Sequence, residues 1–395
     1  MDRAELTALL TPEGLRLVDE LGAIDSAGEV AAAVSRLRAK GLTPDLVSAA
    51  VGQARLRTRA RTKFGAFAER MLFTRAGLEQ ATRLEIAARH AGRFRDAGLN
   101  HVADLGCGIG GDALGLAGIG LQVLAVDADE ITAVLAAYNL APFSGSVTVQ
   151  HARAEDVSLE DVNAVWLDPA RRAAGHGSTL RLGADEWSPP LEWVFDVAAR
   201  MPAGVKLGPA FDRRRIPGDA EAQWISVDGS TIELVLWTGA LARPGVRRAA
   251  LVVRGGTGAE LTASTDTVDA PVRPLATYLH EPEGAVIRAR LIGEVARALD
   301  AGMLSEGIAY LTGDAALTSP FVQSFRVREQ LPTDVRALAR ALRERDIGTL
   351  EIKKRGVDID PATLRTKLKL RGDGSATLFL TRAAGSRVAI LADRL

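Results

Sequence analysis

Cysteine is almost missing from this 395-residue chain: Cys107 is the one thiol. That excludes a disulfide framework and any multi-cysteine zinc or iron–sulfur centre. The five histidines (His90, His101, His151, His176, His280) fall in no metal-ligand spacing, so no metal is expected. Net charge is absent as well, because 49 basic residues meet 49 acidic ones. A basic coat over the whole molecule is excluded, although a local patch is not. No apolar run approaches the roughly 20 residues of a membrane span, so no membrane partner is expected. The first residues, MDRAELTALLTPEG, carry charge where a signal peptide has its apolar stretch. A lone thiol fits the reducing cytoplasm, the expected location. Lysine is scarce too, with seven in all: Lys40, Lys63, Lys206, Lys353, Lys354, Lys367 and Lys369. What is present is ordinary: 47% apolar and 25% charged residues, enough for two or three globular domains.

Residues 1–95 read as a helical domain. Apolar residues recur at three- and four-residue spacing (Ile24, Val30, Ala33, Val34, Leu37), and Thr43-Pro44-Asp45 has the pattern of a helix start. From His101 the pattern changes. HVADLG, LQVLAVD, VTVQH, AVWLDP and GVKLGP are short apolar runs separated by helix-like segments, which predicts a parallel sheet built from βαβ units. WISVDG, TIELVLWTG and RRAALVV follow without helices, so an antiparallel hairpin is expected to close the sheet. We therefore expect an α/β domain over 96–256. Residues 257–319, opening with GTGAELTASTDTVDAPVRP, read as a connecting region. Residues 320–395 read as a small α+β domain whose strands include GTLEIKK, ATLFLTR and RVAILA.

Asp104-Leu105-Gly106-Cys107-Gly108-Ile109-Gly110-Gly111 joins the first strand to its helix. Glycines there let a ligand approach the backbone and permit positive φ. Gly106, Gly108 and Gly111 satisfy the dinucleotide pattern G-x-G-x-x-G. Asp104 stands two residues before Gly106, and its carboxylate would repel a pyrophosphate but suit a cation. S-adenosylmethionine, with an amine and a sulfonium and no phosphate, fits better than NAD. Asp127 ends the second strand about 20 residues past the first glycine, where this topology places the acid that holds ribose hydroxyls; the alternative is a helix cap.

The motifs DLGCGIGGD, VDADE, Asn139 in AYNL, LDPAR and the upstream MLFTRAGLEQAT resemble, in order, those of the class I S-adenosylmethionine-dependent methyltransferases over about residues 63–256. That resemblance implies a Rossmann-like, seven-stranded mixed sheet. It implies cofactor contacts from Asp104, Gly106, Cys107, Gly108, Gly110, Asp127, Ala128, Thr74 and Asp168. Arg153 stands where the family usually has the acid that meets adenine, and Glu155 or Asp156 is the expected substitute. LEQAT, LDPARR, SPPLEWV, VKLGP and LEIKKRGVDIDPATLRTKL resemble a bacterial group with a THUMP-like C-terminal domain, a type of RNA-binding module.

Two acceptor chemistries compete for Asp168. Amine methyltransferases of the family carry (Asp/Asn)-Pro-Pro-aromatic, whereas this chain has Asp168-Pro169-Ala170-Arg171, leaving a guanidinium as the stacking group. Ribose 2′-O-methyltransferases resemble one another in a Lys-Asp-Lys-Glu tetrad, matched in order by Lys63, Asp168, Lys206 and Glu233. A lysine of that set can accept the hydroxyl proton. Covalent methylation at pyrimidine carbon 5 is excluded, because it needs a cysteine near the target.

Arg55, Arg57, Arg59, Arg61 and Lys63 fall within nine residues, either as a phosphate guide or as a solvated face. Between Arg336 and Arg371, eleven basic residues meet five acids. Lys353, Lys354, Arg355, Arg365, Lys367 and Lys369 are the expected nucleic-acid contacts there, and the window has no aromatic residue for stacking bases. The expectation is direct methyl transfer from S-adenosylmethionine to RNA. The rivals are a non-catalytic RNA-binding protein on the same scaffold, and a methyltransferase acting on a small molecule or a protein.

Overall fold

Polar caps set the helix starts of the N-terminal region in the computed structural model, which describes residues 1–171 and 187–395. His176 and Arg172, with the side chain of Arg171, lie outside the described residues. The first helices are α1 (Arg3–Leu9), α2 (Pro12–Leu21), α3 (Ala27–Ala39), α4 (Pro44–Phe64), α5 (Arg75–Gln80) and α6 (Leu84–Asp96). Ser26 and Glu29 form a reciprocal capping box on α3. Thr43 caps α4, with Pro44 inside its first turn.

The alternating segment follows as β1 (His101–Leu105), α7 (Gly111–Gly118), β2 (Gln122–Asp127), α8 (Glu130–Leu140), β3 (Val147–His151), β4 (Ala164–Leu167), β5 (Ala170–Arg171), β6 (Trp187–Ser188), α9 (Leu191–Arg200) and β7 (Ala203–Leu207). Then come β8 (Glu221–Val227), β9 (Ser230–Trp237), β10 (Arg248–Arg254), β11 (Thr257–Ala263), β12 (Tyr278–Pro282), α10 (Gly284–Ala289), α11 (Ile292–Ala298), β13 (Gly302–Ser305) and β14 (Ile308–Gly313). The chain ends with β15 (Val322–Leu331), α12 (Val335–Glu344), β16 (Ile347–Lys354), α13 (Pro361–Leu368), β17 (Gly374–Ala383) and β18 (Ser386–Arg394).

Two compact bodies result: Met1–Leu207 with Leu236–Ala242, and Gly208–Val235 with Arg243–Leu395. In the first, β3, β2, β1, β4 and β7 lie side by side, all parallel. The end of β9 continues past β7, with Thr238 N–H donating to the Ala203 carbonyl at 2.9 Å. The N-terminal helices do not form a body of their own. Leu9, Ala50 and Leu72 share a core with Leu135 of α8, so the expected division at residue 95 falls inside one packed unit.

In the second body β10 pairs parallel with β8 and antiparallel with β11. Strand β11 escaped sequence reading because its residues alternate between exposed and half-buried, as on a wet edge, and so look like a polar loop. The stretch 257–319 is likewise no mere connector. It supplies β12, β13 and β14 to a seven-stranded sheet ordered β13-β14-β12-β15-β18-β17-β16. The break between α10 and α11 at Arg290 (φ 61°) divides what would otherwise read as one helix.

Candidate active site

The C-terminal ends of β1, β2, β4 and β7 border a cavity of about 460 Å³. This is the edge of a parallel sheet where ligands bind, and the volume suits a small molecule. The glycine loop forms its floor. Gly106 has φ 92°, and a Cβ there would come within 2.8 Å of the Asp168 carbonyl oxygen. Gly108, at φ 56°, turns its N–H onto Asp127 Oδ2 at 2.9 Å. Asp129 N–H donates to Asp127 Oδ1 at 2.9 Å. Gly106, Cys107, Gly108, Asp127, Ala128, Asp168 and Lys206 all line the cavity. Burial raises the Asp127 carboxyl and pushes the Cys107 thiol well up, which leaves the latter an unreactive wall atom.

Three expected cofactor residues are not among those that line the cavity. Gly110 is not a wall residue; it opens α7 and packs against Leu140. Thr74 caps α5, its hydroxyl accepting from Gly77 N–H at 2.9 Å. The wall there is made by Gly77, Gln80, Ala81 and Thr82 instead. Asp104 is fully buried within the sheet, between Ala125 and Trp166, and does not line the cavity. Neither of its carboxylate oxygens finds a hydrogen-bond partner among the described residues. Burial first, then the charges of Asp112 and Asp168, raise its pKa far above the usual carboxylate range.

Side-chain amides pin the segment that carries this wall. Asn139 accepts from Leu72 N–H at 2.7 Å and donates to the carbonyls of Leu72 and Ile109. Gln53 brackets the backbone of Phe73 in the same way. Lys63 then closes the C-terminal end of α5, donating to the carbonyls of Leu78, Glu79 and Ala81 at 2.7–2.9 Å. A cation suits the negative end of a helix.

That placement bears on the expected tetrad. Lys63 is a helix cap. Glu233 is buried in β9 of the second body and is not among the cavity residues. Asp168 and Lys206 meet, with Lys206 Nζ 2.6 Å from Asp168 Oδ2. Lys206 also donates to Thr82 Oγ1 at 3.0 Å. Thr82 donates onward to Asp112 Oδ2 at 2.6 Å, and Asp112 Oδ1 lies 2.9 Å from His90 Nδ1. Burial alone would raise the Asp112 carboxyl, but His90, Lys206 and Thr82 together bring it below the ordinary value, so it stays ionised. Sequence reading missed Thr82, Asp112 and His90. Asp112 follows two glycines in a helix's first turn, where an acid normally reads as a partner of the helix dipole.

Glu155 lines the cavity and pairs with Arg153 at 2.8 Å, while Asp156 is not a wall residue. In the N-terminal basic run, Arg57 is buried against Asp19 and the Met71 carbonyl, and Arg61 pairs with Glu69. Arg55 and Arg59 face solvent.

In the second body, the pleat of β16 splits the expected basic cluster. Lys353 bonds Glu281 at 2.6 Å, and Arg355 lies 3.6 Å from the same carboxylate and over the Tyr310 ring. Lys354 is exposed, as are Arg365 and Lys367 on α13 and Lys369 just after it.

A methyltransferase of Mycobacterium tuberculosis, described as S-adenosylmethionine-dependent and uncharacterized, is 34% identical over 340 residues in strains CDC 1551 and H37Rv. The match covers 84% of this chain and 92% of the relative. This chain belongs to the S-adenosylmethionine-dependent methyltransferases. A "THUMP domain-like" family model matches residues 322–394 of the methyltransferase, and a domain of unknown function (DUF8688) matches residues 2–60. A Porphyromonas gingivalis W83 protein with a provisional methyltransferase assignment has the same fold. It superposes with a TM-score of 0.70 at 19% identity, over 94% of this chain and 99% of its own.

S-adenosylmethionine is the methyl donor, and the cavity's chemistry fits it. Asp127 and Glu155 present acceptors, the Gly106–Gly108 backbone is bare of Cβ atoms at both glycines, and among the described residues of the wall Lys206 is the one cation. Among the described residues no helix is long and apolar enough to cross a membrane.

Proposed function

We propose that this methyltransferase acts on RNA, at an exocyclic base amine or a ribose 2′-hydroxyl, with the acceptor held at Asp168. The observation that carries the RNA reading is the group of exposed cations Lys354, Arg365, Lys367 and Lys369 within the THUMP domain-like segment of a chain with no net charge. Their exposure suits phosphate contacts, which need no base-stacking aromatics.

When bound, S-adenosylmethionine supplies an electrophilic methyl carbon and keeps the bonding pair at sulfur. Asp127 accepts from the ribose hydroxyls of the donor, and Glu155 stands in for the missing adenine acid. Asp168 accepts the proton of the acceptor's N–H or O–H, and Lys206 fixes the direction in which it does so. Lys63 is engaged at the end of α5, so Asp168 is the proton acceptor in this reading. Most of the acceleration comes from holding acceptor and methyl carbon in line.

The test uses purified protein, labelled S-adenosylmethionine and total RNA from a strain lacking the gene, followed by digestion and nucleoside separation. Label on a base-methylated or a ribose-methylated nucleoside is expected, and identifies the atom. Asp168→Asn should abolish transfer while S-adenosylhomocysteine still binds. Binding of S-adenosylhomocysteine without any label in RNA would overturn the RNA reading, and transfer by the Asp168 variant would overturn the acceptor pocket.

A further inference from the structure

We infer that the buried chain His90–Asp112–Thr82 is a positioning device that fixes Lys206, and through it Asp168, for methyl transfer. The inference rests on the acceptor pocket proposed above.

The donor and acceptor roles along this chain leave one arrangement. An ammonium only donates, and an ionised carboxylate only accepts. Thr82 sits between one of each. Its hydroxyl must accept from Lys206 (3.0 Å) and donate to Asp112 (2.6 Å). Asp112, held ionised, spends its other oxygen on His90, so His90 Nδ1 carries the proton. The His90 ring is itself locked: it lies 4.4 Å from the Trp166 ring and meets Trp237 edge-on at 6.0 Å. Trp166 lies two residues before Asp168. The chain therefore starts on β4 and ends one residue past it, passing through α6, α7, the turn after α5 and β7.

His90, Asp112 and Thr82 are 2%, 7% and 4% exposed, so water does not compete for these bonds. Asp112 Oδ2 is 4.0 Å from Lys206 Nζ, too far for a direct bond. The Thr82 hydroxyl is the link that turns this separation into a fixed one. Without it, Lys206 keeps its ion pair with Asp168 but loses the bond that sets the ammonium's direction, and the direction of the Asp168 carboxylate shifts with it. A misplacement of about 1 Å at such a site costs on the order of a hundredfold in rate.

The test compares Thr82→Val, which deletes the hydroxyl at nearly constant volume, with Thr82→Ser, which keeps it. The first readout needs no acceptor. In protein labelled with 15N-lysine, Lys206 should give a slowly exchanging ammonium signal, assigned by its loss in Lys206→Met. That signal should be lost or shifted in Thr82→Val and restored in Thr82→Ser. The second readout is the rate of label entry into total RNA from the deletion strain at saturating donor. Thr82→Val should fall about ten- to a hundredfold, and Thr82→Ser should stay within about threefold of the parent. Asp112→Asn should also slow transfer, and the Thr82→Val/Asp112→Asn double variant should be little slower than either single one, as expected for parts of one unit. Thr82→Val should melt lower than the parent, because Asp112 loses a buried partner, yet unfold cooperatively above the assay temperature, and Thr82→Ser, which keeps that bond, is the control for fold and donor affinity. An unaltered Lys206 signal in Thr82→Val, or rate reductions that multiply in the double variant, overturns the positioning role. If the parent leaves RNA unlabelled, the ammonium signal still decides the inference, separately from the RNA reading.

Discussion

Asp104 is a carboxyl with no exposed surface and no hydrogen-bond partner for either oxygen among the described residues. Its raised pKa means that the folded chain keeps a proton which the unfolded chain releases above about pH 4. Linkage then gives the sign. As pH rises through that range and on toward the folded-state value, the unfolded state gains and stability from this group falls. Asp104→Asn removes the titration. Relative to the parent, that variant should become steadily more stable in urea unfolding as pH rises above about 4.5. A stability difference that does not change with pH would show that the carboxyl has a partner. Asp112 has the opposite sign, since its lowered pKa contributes stability above the ordinary carboxylate value and loses it below. The sequence showed both acids in one motif but not their division into a neutral and an ionised member. That division comes from His90, Thr82 and Lys206, which arrive beside Asp112 from three different parts of the chain.

Among the elements, β16 shows how a run of like charges changes meaning once it is pleated. Successive side chains of a strand face opposite ways. Lys353 and Arg355 turn to Glu281, while Lys354 joins the exposed cations of α13. Replacing Lys354, Arg365, Lys367 and Lys369 by alanine should weaken RNA binding and flatten its salt dependence. The logarithmic slope should shrink by about 0.7 for each single-strand phosphate that is no longer neutralised. Lys353→Ala should behave differently: RNA affinity stays near the parent's while the melting temperature drops, because Glu281 is deprived of its 2.6 Å partner. Filter binding across a salt series separates the two, and equal effects on affinity would show that the pleat does not sort these residues. The βαβ core was legible because strand, glycine turn and helix leave a strong local pattern. Strand β11 was not, since an edge wetted on both sides has the composition of a loop.

At the scale of the whole molecule, the order of the motifs pointed to residues that border one cavity, but did not show that Lys63 spends its ammonium on the end of α5. Lys63, Asp168, Lys206 and Glu233 come in the expected sequence order, yet order along a chain does not fix which ends meet. The carbonyls at the end of α5 take Lys63, and Glu233 belongs to the other body. The body boundaries were equally hidden, because they follow packing rather than composition. One global property does become useful once the side chains are placed: the scarcity of lysine. Lys63 and Lys206 are tied by hydrogen bonds and Lys353 by an ion pair, whereas Lys40, Lys354, Lys367 and Lys369 face solvent. Brief treatment with an amine-acylating reagent should therefore tag the last four first, and peptide mass mapping can read all seven at once. S-adenosylhomocysteine should slow tagging of Lys206 and leave Lys40 alone. RNA should shield Lys354, Lys367 and Lys369, again sparing Lys40. Shielding of Lys40 to the same degree would mean that the basic face is not the contact. With so few amines, the chain carries its own footprinting reporters, one set for each proposed ligand, with no engineered label.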